Sequence, residues 1–158
     1  MIFVTLGSQK FPFDRLLQEI DRLIEAGVIT EPVFAQTGCS AYTPRHFGYE
    51  AFLDRDTFGE KMQEADTVIT HAGTGAIIGA VKKGKKVIAV PRLSKYGEHV
   101  DDHQTQIIDQ FNELNLILGL SGVEQLEAAV QQLPERQFNS YASNTHRIIA
   151  DIETFLGA

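Results

Sequence analysis

One glycine-rich segment constrains the fold of this chain more than any other. It covers residues 67–104 and reads TVITHAGTGAIIGAVKKGKKVIAVPRLSKYGEHVDDHQ. A β-branched strand leads into a glycine turn that opens a helix, and a second strand follows and ends at Pro91. Gly73 and Gly75 permit close approaches that a Cβ would block, and a helix N-terminus presents unpaired N–H groups to an anion. The segment therefore predicts a βαβ unit that binds phosphate.

Strand and helix patterns alternate along the rest of the chain. Strands are expected at residues 2–6, 33–36, 46–52, 67–70, 86–90 and 116–118, and helices at 13–24, 57–64, 75–82, 100–114, 123–133 and 141–155. This alternation predicts an α/β fold, a Rossmann-like parallel sheet with helices on both faces and ligands beyond the carboxyl ends of the strands. We expect a single domain over residues 1–158, with ligand-binding loops at 7–11, 71–75 and 91–99.

Composition and charge exclude several classes of function. The net charge of −7 argues against a nucleic-acid partner, because that affinity comes from clustered lysine and arginine. The one dense basic run lies where a helix turns into a strand, and we expect it to be a solvated corner; it comprises Lys82, Lys83, Lys85 and Lys86. No window approaches the roughly 20 apolar residues of a membrane span, so membrane association would come through a partner.

The single cysteine, Cys39, excludes an internal disulfide and indicates a reducing, cytosolic setting. It has no catalytic context, and we expect a buried or incidental thiol. His99 and His103 stand four residues apart, a spacing that can bind zinc, with Asp102 as a further ligand. The chain lacks an HExxH arrangement and a nearby residue to complete the set, so we predict no metal site.

Two familiar phosphate motifs fit the glycine segment poorly. Gly73, Gly75 and Gly79 approach a dinucleotide-binding fingerprint, but the next strand ends at Val90 without the acidic residue that would bind the ribose. A kinase-type phosphate loop would need a Gly-Lys-Ser/Thr sequence, which does not occur. A dehydrogenase and a P-loop kinase are therefore disfavoured.

Three ordered motifs resemble the donor-binding, C-terminal half of GT-B glycosyltransferases. They are the opening FVTLGSQKFPFDRLL, the central HAGTG and the later HVDDHQ, and together they extend the resemblance over nearly the whole chain. The chain looks most like the soluble subunits of two-part enzymes. These are the catalytic subunit of the eukaryotic dolichol-linked N-acetylglucosamine transferase and bacterial subunits of capsule and exopolysaccharide synthesis, often β-1,4-galactosyltransferases.

The resemblance implies a site for the donor diphosphate. Its members match the family's first loop and its glycine loop: Gly7, Ser8, His71, Gly73, Thr74 and Gly75. Among them His71 is the possible catalytic side chain, as a group that stabilises the leaving phosphates. A diphosphate also favours a helix N-terminus on physical grounds alone. Two purely structural alternatives remain open. His71 could be a hydrogen-bonded residue that caps a strand, and Thr74 could be a helix N-cap.

The resemblance also implies contacts to the other parts of a UDP-sugar. Phe52 and Leu53 correspond to the segment that contacts uracil. The residues expected near the donor sugar are His103 and Gln104, with His99, Asp101 and Asp102 within one turn of them. Several relatives carry a glutamate that binds the ribose where this chain has Gly79, so the contact to ribose must differ. Close helix packing is the simpler role for Gly79.

The implied reaction is glycosyl transfer with inversion, with a UDP-sugar as substrate and no further cofactor. The family places the base and most of the acceptor site on another domain, so the resemblance implies a membrane-anchored partner subunit that presents a lipid-linked saccharide. The chain itself would be cytoplasmic and peripheral to the membrane. The histidine before Gln104 tilts the donor toward UDP-galactose. The alternative is a non-catalytic nucleotide-sugar sensor or enhancer subunit, which Gly79 favours and the complete motifs disfavour.

Overall fold

Six parallel strands form one sheet in the computed structural model. The structure describes residues 1–6, 12–71, 73–92 and 103–139, and for Thr74, His103 and Gln104 it describes the backbone alone. The strands are β1 (Ile2–Thr5), β2 (Val33–Gln36), β3 (Gly48–Glu50), β4 (Thr67–Thr70), β5 (Lys86–Ala89) and β6 (Leu118–Gly119). Their order is β3-β2-β1-β4-β5-β6, and every pair is parallel. The predicted α/β class with a parallel sheet is confirmed.

Helices cover both faces of this sheet, as predicted. They are α1 (Asp14–Glu25), α2 (Arg55–Glu64), α3 (Thr74–Lys82), α4 (His103–Glu113) and α5 (Leu126–Gln132). One apolar cluster joins α1 and α5 to the face that carries Val4, and a second joins α2, α3 and α4 to the face that carries Phe3. Successive strand residues point to opposite faces, so β1 reads as a continuous apolar run because both of its faces are buried.

Several element boundaries differ from the sequence prediction for identifiable reasons. Helix α2 begins at Arg55, two residues early, because the Asp54 carboxylate accepts a hydrogen bond from the Thr57 N–H at 2.7 Å. That bond lowers the pKa of Asp54. Strand β6 begins at Leu118, two residues late, because Asn115 adopts a positive φ of 53° and turns the chain there. Residues 100–102 and the predicted helix at 141–155 lie outside the described residues.

Two acidic residues of α1 hold the loop that follows β2. The Asp21 carboxylate is 5% exposed and accepts hydrogen bonds from the Tyr42 hydroxyl at 2.6 Å and the backbone N–H groups of Arg45 and His46 at 2.9 and 3.0 Å. About two helical turns earlier, the Asp14 carboxylate accepts a hydrogen bond from the backbone N–H of Tyr42 at 3.0 Å. The loop is therefore fixed against the helix by carboxylate bonds, which are stronger than neutral ones.

Two side-chain hydrogen bonds join the carboxyl end of β1 to the end of β4 and to the segment after β5. The Thr70 hydroxyl, at the end of β4, donates to the Thr5 carbonyl at 2.9 Å. Arg92 lies just after β5, and its Nη2 donates to the Leu6 carbonyl at 2.7 Å, which spans the intervening β4. The guanidinium carbon also lies 5.5 Å from the centre of the Phe13 ring. These bonds fix the relative positions of the three strand ends from which the predicted ligand loops depart.

Replacing Asp21 should destabilise the fold and release Tyr42. We expect Asp21→Ala to lower the free energy of unfolding by about 2–3 kcal/mol, because three donors lose a charged acceptor. The same hydrogen bond raises the pKa of Tyr42, so the variant should return that pKa toward its ordinary value. Urea unfolding and phenol absorbance titration measure the two effects. Glu60→Ala, at an exposed position of α2, is the control. An equal loss of unfolding free energy in both variants would contradict the prediction.

Replacing Arg92 should destabilise the fold through the end of β1. Arg92→Met keeps much of the side-chain volume but removes the donor to the Leu6 carbonyl, so we expect a loss of about 1–3 kcal/mol in the free energy of unfolding. Arg55→Met, at the exposed start of α2, is the matched control and should change stability by about 0.5 kcal/mol or less. Urea unfolding of both variants is the measurement. A loss no larger than that of the control would show that the Arg92 bond does not support the fold.

Candidate functional site

Buried polar residues concentrate at the carboxyl edge of the sheet. Eight polar or charged residues are buried in the described part of the chain, and all but Asp21 and Thr67 lie at this edge. We call these six residues the polar layer: Thr5, Gln36, Thr37, Thr70, His71 and Arg92. Burying polar groups is costly unless they are hydrogen-bonded, so such a concentration marks a place where the protein uses polarity.

The polar layer lies around the topological switch point of the sheet. The strand order reverses between β1 and β4, because the chain continues from β1 toward β2 on one side and resumes with β4 on the other. In open parallel sheets, ligands bind in the crevice outside the carboxyl ends of the strands at this point. The carboxyl ends of β1 and β4 border this crevice, and the predicted loop at 71–75 begins there, whereas the predicted loop at 7–11 lies outside the described residues.

The loop after β4 packs the His71 ring against Gly73. His71 is 6% exposed, and a Cβ on Gly73 would lie 2.8 Å from its Nε2, inside van der Waals contact. The glycine is therefore required by the histidine, since any side chain at 73 would displace the imidazole. The structure thus places two of the predicted diphosphate residues in direct contact at the switch point.

Helix α3 begins directly after this contact. Gly73 is its N-cap, with φ −75° and ψ 118°, and Thr74 is the first helical residue, so the interpretation of Thr74 as the N-cap is wrong. The first turn carries no acidic side chain that would neutralise the positive end of the helix dipole. Within the described structure, no atom lies within 4 Å of the position a Cβ would take at Gly75. An anion can therefore approach the free N–H groups of this turn closely.

Gly79 lies one helical turn beyond Gly75 and is equally open. Its Cβ position has no neighbour within 4 Å among the residues that the structure describes, so the close helix packing expected of Gly79 is not observed there. Positions four residues apart share one helical face. The two glycines therefore leave that face of α3 without side chains along its first two turns.

The segment predicted to contact uracil lies at the β3 side of the same edge. Phe52 is 54% exposed, whereas Leu53 is half-buried against the apolar cluster of α2, α3 and α4. The chain reaches Phe52 by extending the β2–β3 ladder, in which the Gly38 N–H donates to the Ala51 carbonyl at 2.8 Å. An exposed aromatic ring is thus held beside the carboxyl end of β2.

The residues predicted near the donor sugar belong to the start of α4. His103 and Gln104 form its first turn, and α4 connects parallel strands β5 and β6, so its N-terminus lies toward the carboxyl edge. Their side chains lie outside the description. Five other predicted residues lie wholly outside the description: Gly7, Ser8, His99, Asp101 and Asp102. Their predicted roles stay predictions.

Sequence reasoning named only His71 among the six residues of the polar layer, and Gln36 and Arg92 are two of the five that it missed. Each had a signal: Gln36 ends an otherwise apolar strand, VFAQ, and Arg92 follows the proline that closes another. Polar residues at such positions point into the crevice edge of a parallel sheet. Cys39, in contrast, is exposed, so the buried alternative for its thiol is wrong.

The lysine run lies at the opposite, amino-terminal edge of the sheet and is partly structural. Lys85 Nζ donates to the Gln63 carbonyl near the end of α2 at 3.1 Å, and Lys86 Nζ donates to the Leu133 carbonyl at 3.1 Å. Cations at the carbonyl ends of helices are stabilising. Two cavities of about 370 and 850 Å³ open beside these lysines, away from the polar layer. The expectation of a purely solvated corner is therefore wrong for Lys85 and Lys86.

The described residues contain no cluster of three or more histidine, cysteine, aspartate or glutamate side chains suited to a metal ion. Within the same ranges, no helix has both the length and the apolar character needed to cross a membrane.

Comparison with known proteins identifies relatives of this architecture. Mouse UDP-N-acetylglucosamine transferase subunit ALG13 is 29% identical over 121 residues, and the human protein of that name is 30% identical over 126 residues. These alignments cover 70% and 71% of the chain but 10% of each relative, so the chain spans about a tenth of their length. The Saccharomyces cerevisiae protein of that name is 36% identical over 72 residues, 42% of the chain and 34% of the relative.

Solved structures agree with this fold. An Acinetobacter baumannii MurG structure superposes with a TM-score of 0.56 at 18% identity, over 96% of this chain and 49% of that one. A glycotransferase of kitacinnamycin gives 0.58 at 14% identity, over 99% and 39%. Finally, the family model for the glycosyltransferase family 28 C-terminal domain matches residues 1–153. With the GT-B-type fold and the glycine loop at the switch point, this match shows that the chain belongs to the glycosyltransferase family 28 C-terminal domain family.

Proposed function

We propose that this chain is the donor-binding, catalytic subunit of a two-part, UDP-sugar-dependent glycosyltransferase. The observation that carries the proposal is the start of α3. In a member of the family 28 domain, an unneutralised helix N-terminus with the bare Gly75 opens onto the switch point beside the buried His71. This arrangement suits the diphosphate of a nucleotide sugar, because backbone N–H groups and the helix dipole both favour a multiply charged anion.

The chemistry follows from that placement. An acceptor hydroxyl attacks the anomeric carbon, the bond from that carbon to the diphosphate breaks, and the electron pair leaves on the phosphate oxygen. The N–H groups at the start of α3 stabilise the growing charge on UDP, which is the electrostatic part of catalysis. The acceptor proton passes to a base that we assign to the partner subunit, and attack opposite the leaving group inverts the anomeric centre.

The partner and the sugars are finer parts of the same proposal. The relatives are named as subunits of a UDP-N-acetylglucosamine transferase, which supports both a uridine nucleotide and a second subunit. A membrane-anchored partner that presents a lipid-linked saccharide would place this chain at the cytoplasmic membrane surface. The sequence tilts the donor toward galactose in β-1,4 transfer during exopolysaccharide synthesis, whereas the names of the relatives favour N-acetylglucosamine as the competing donor.

A matched pair of glycine variants tests the position of the diphosphate. Gly75 in α3 and Gly59 in α2 both have open space at the Cβ position, so alanine at either site should stabilise the helix slightly, by about 0.5–1 kcal/mol. Only Gly75→Ala should weaken UDP binding, by roughly 10-fold or more, because its methyl group occupies the approach to the N–H groups. Calorimetric titration and thermal unfolding measure both effects. Equal UDP affinity in the two variants would show that the diphosphate does not bind at the start of α3.

Partner dependence and donor choice are tested together. We expect the isolated chain to bind a UDP-sugar without transferring it, and to transfer it to a lipid-linked acceptor when co-expressed with the membrane subunit. Titration and turnover with UDP, UDP-galactose, UDP-glucose and UDP-N-acetylglucosamine identify the donor. Full turnover by the chain alone would contradict the need for a partner. Binding without turnover in the complete complex would favour the alternative of a nucleotide-sugar sensor.

A further inference from the structure

Gln36 carries a buried amide oxygen that accepts no hydrogen bond from any described residue. The side chain is 6% exposed, and its Oε1 atom is buried without a partner in the part of the chain that the structure describes. Leaving such a group unpaired is unfavourable relative to water, and native proteins rarely tolerate it outside functional sites. Two other members of the polar layer, Thr70 and Arg92, each donate at least one side-chain hydrogen bond to a carbonyl at the end of β1.

The strand register brings Gln36 and Phe52 to the same corner of the sheet. Gln36 is the last residue of β2 and pairs with Glu50 on β3. The ladder continues past both strands, with the Thr37 N–H donating to the Glu50 carbonyl at 2.9 Å and the Gly38 N–H donating to the Ala51 carbonyl. Phe52 is the next residue along, so the amide and the aromatic ring occupy the same corner of the carboxyl edge.

An exposed aromatic ring and an amide whose oxygen has no partner among the described residues form a complementary pair for a nucleobase. The ring supplies a stacking surface for a flat heterocycle. The amide supplies one acceptor and two donors, which match the imide edge of uracil: Oε1 accepts from its N3–H and Nε2 donates to the adjacent carbonyl. No described residue donates a hydrogen bond to the amide oxygen, and the terminal torsion of the side chain is broad, so the group can turn toward the base.

We propose that Gln36 is a specificity-determining residue that binds the imide edge of uracil in the nucleotide ligand. The inference rests on the proposed function, because it needs a uridine nucleotide at the carboxyl edge. It adds a residue that recognises the base, whereas the start of α3 recognises only the charge of the diphosphate. Gln36 also separates the contribution of the base from that of the phosphates, which makes the two ideas testable apart.

The test compares three ligands on wild type and on Gln36→Met by calorimetry. The ligands are UDP, UDP methylated at uracil N3, and inorganic pyrophosphate. Wild type should bind UDP roughly 5- to 50-fold tighter than the N3-methyl analogue, because the methyl group removes the N3–H donor and obstructs the approach of the amide. Gln36→Met should lose this difference and leave pyrophosphate affinity unchanged. Its melting temperature without ligand should equal or exceed that of wild type, because an unsatisfied buried amide has been removed.

A control and a measurement without any variant keep the outcomes distinct. Gln18→Met, on the exposed face of α1, should change neither the ligand affinities nor the melting temperature. Equal affinity of wild type for UDP and its N3-methyl analogue would overturn the inference even if Gln36→Met failed to fold. Equal losses for UDP and pyrophosphate in Gln36→Met would overturn it as well, since they would indicate a structural role. Failure of wild type to bind UDP at all would instead remove the proposed function, and this inference with it.

Discussion

Two side-chain hydrogen bonds, one from the end of β4 and one from the segment after β5, hold the carboxyl end of β1 in place. The candidate site depends on that restraint. The Thr70 hydroxyl binds the Thr5 carbonyl, and the Arg92 guanidinium reaches past β4 to the Leu6 carbonyl. Parallel pairing alone sets the spacing of neighbouring strands, but it leaves the chain free to diverge where the ladder stops. These two bonds extend the order of the sheet by a further residue, to the points where the ligand loops begin.

The polar layer shows how this fold combines stability with binding. Most of its members have hydrogen-bonding partners within the protein, and they brace the edge on which a ligand would rest. The Gln36 amide oxygen is buried and lacks a partner among the described residues. A group of this kind lowers the stability of the ligand-free protein and gains its hydrogen bonds only when a ligand arrives, which is how binding sites commonly trade stability for function.

The two ends of the sheet carry opposite chemistry although the chain is acidic overall. At the amino edge, lysines bind the carbonyl ends of helices and so serve the fold. At the carboxyl edge, the start of α3 offers an unneutralised positive dipole end and two glycines that leave its surface bare. The proposed anionic nucleotide would therefore be attracted by backbone groups rather than by a lysine cluster, so a net charge of −7 is compatible with a diphosphate ligand.

The sequence by itself determined the strands, the helices and the glycine loop, because each is set by local patterns: apolar periodicity, turn residues and caps within a few positions. It also singled out His71, Gly73 and Gly75 through one short motif, and their predicted role in binding a diphosphate stays a prediction. Only the tertiary structure decided that the Gln36 amide oxygen lacks a partner among the described residues, that Phe52 lies at the same corner of the sheet, and that Arg92 binds a carbonyl 86 residues away. Those facts depend on strand order and register, which bring distant residues together and leave no trace in local sequence.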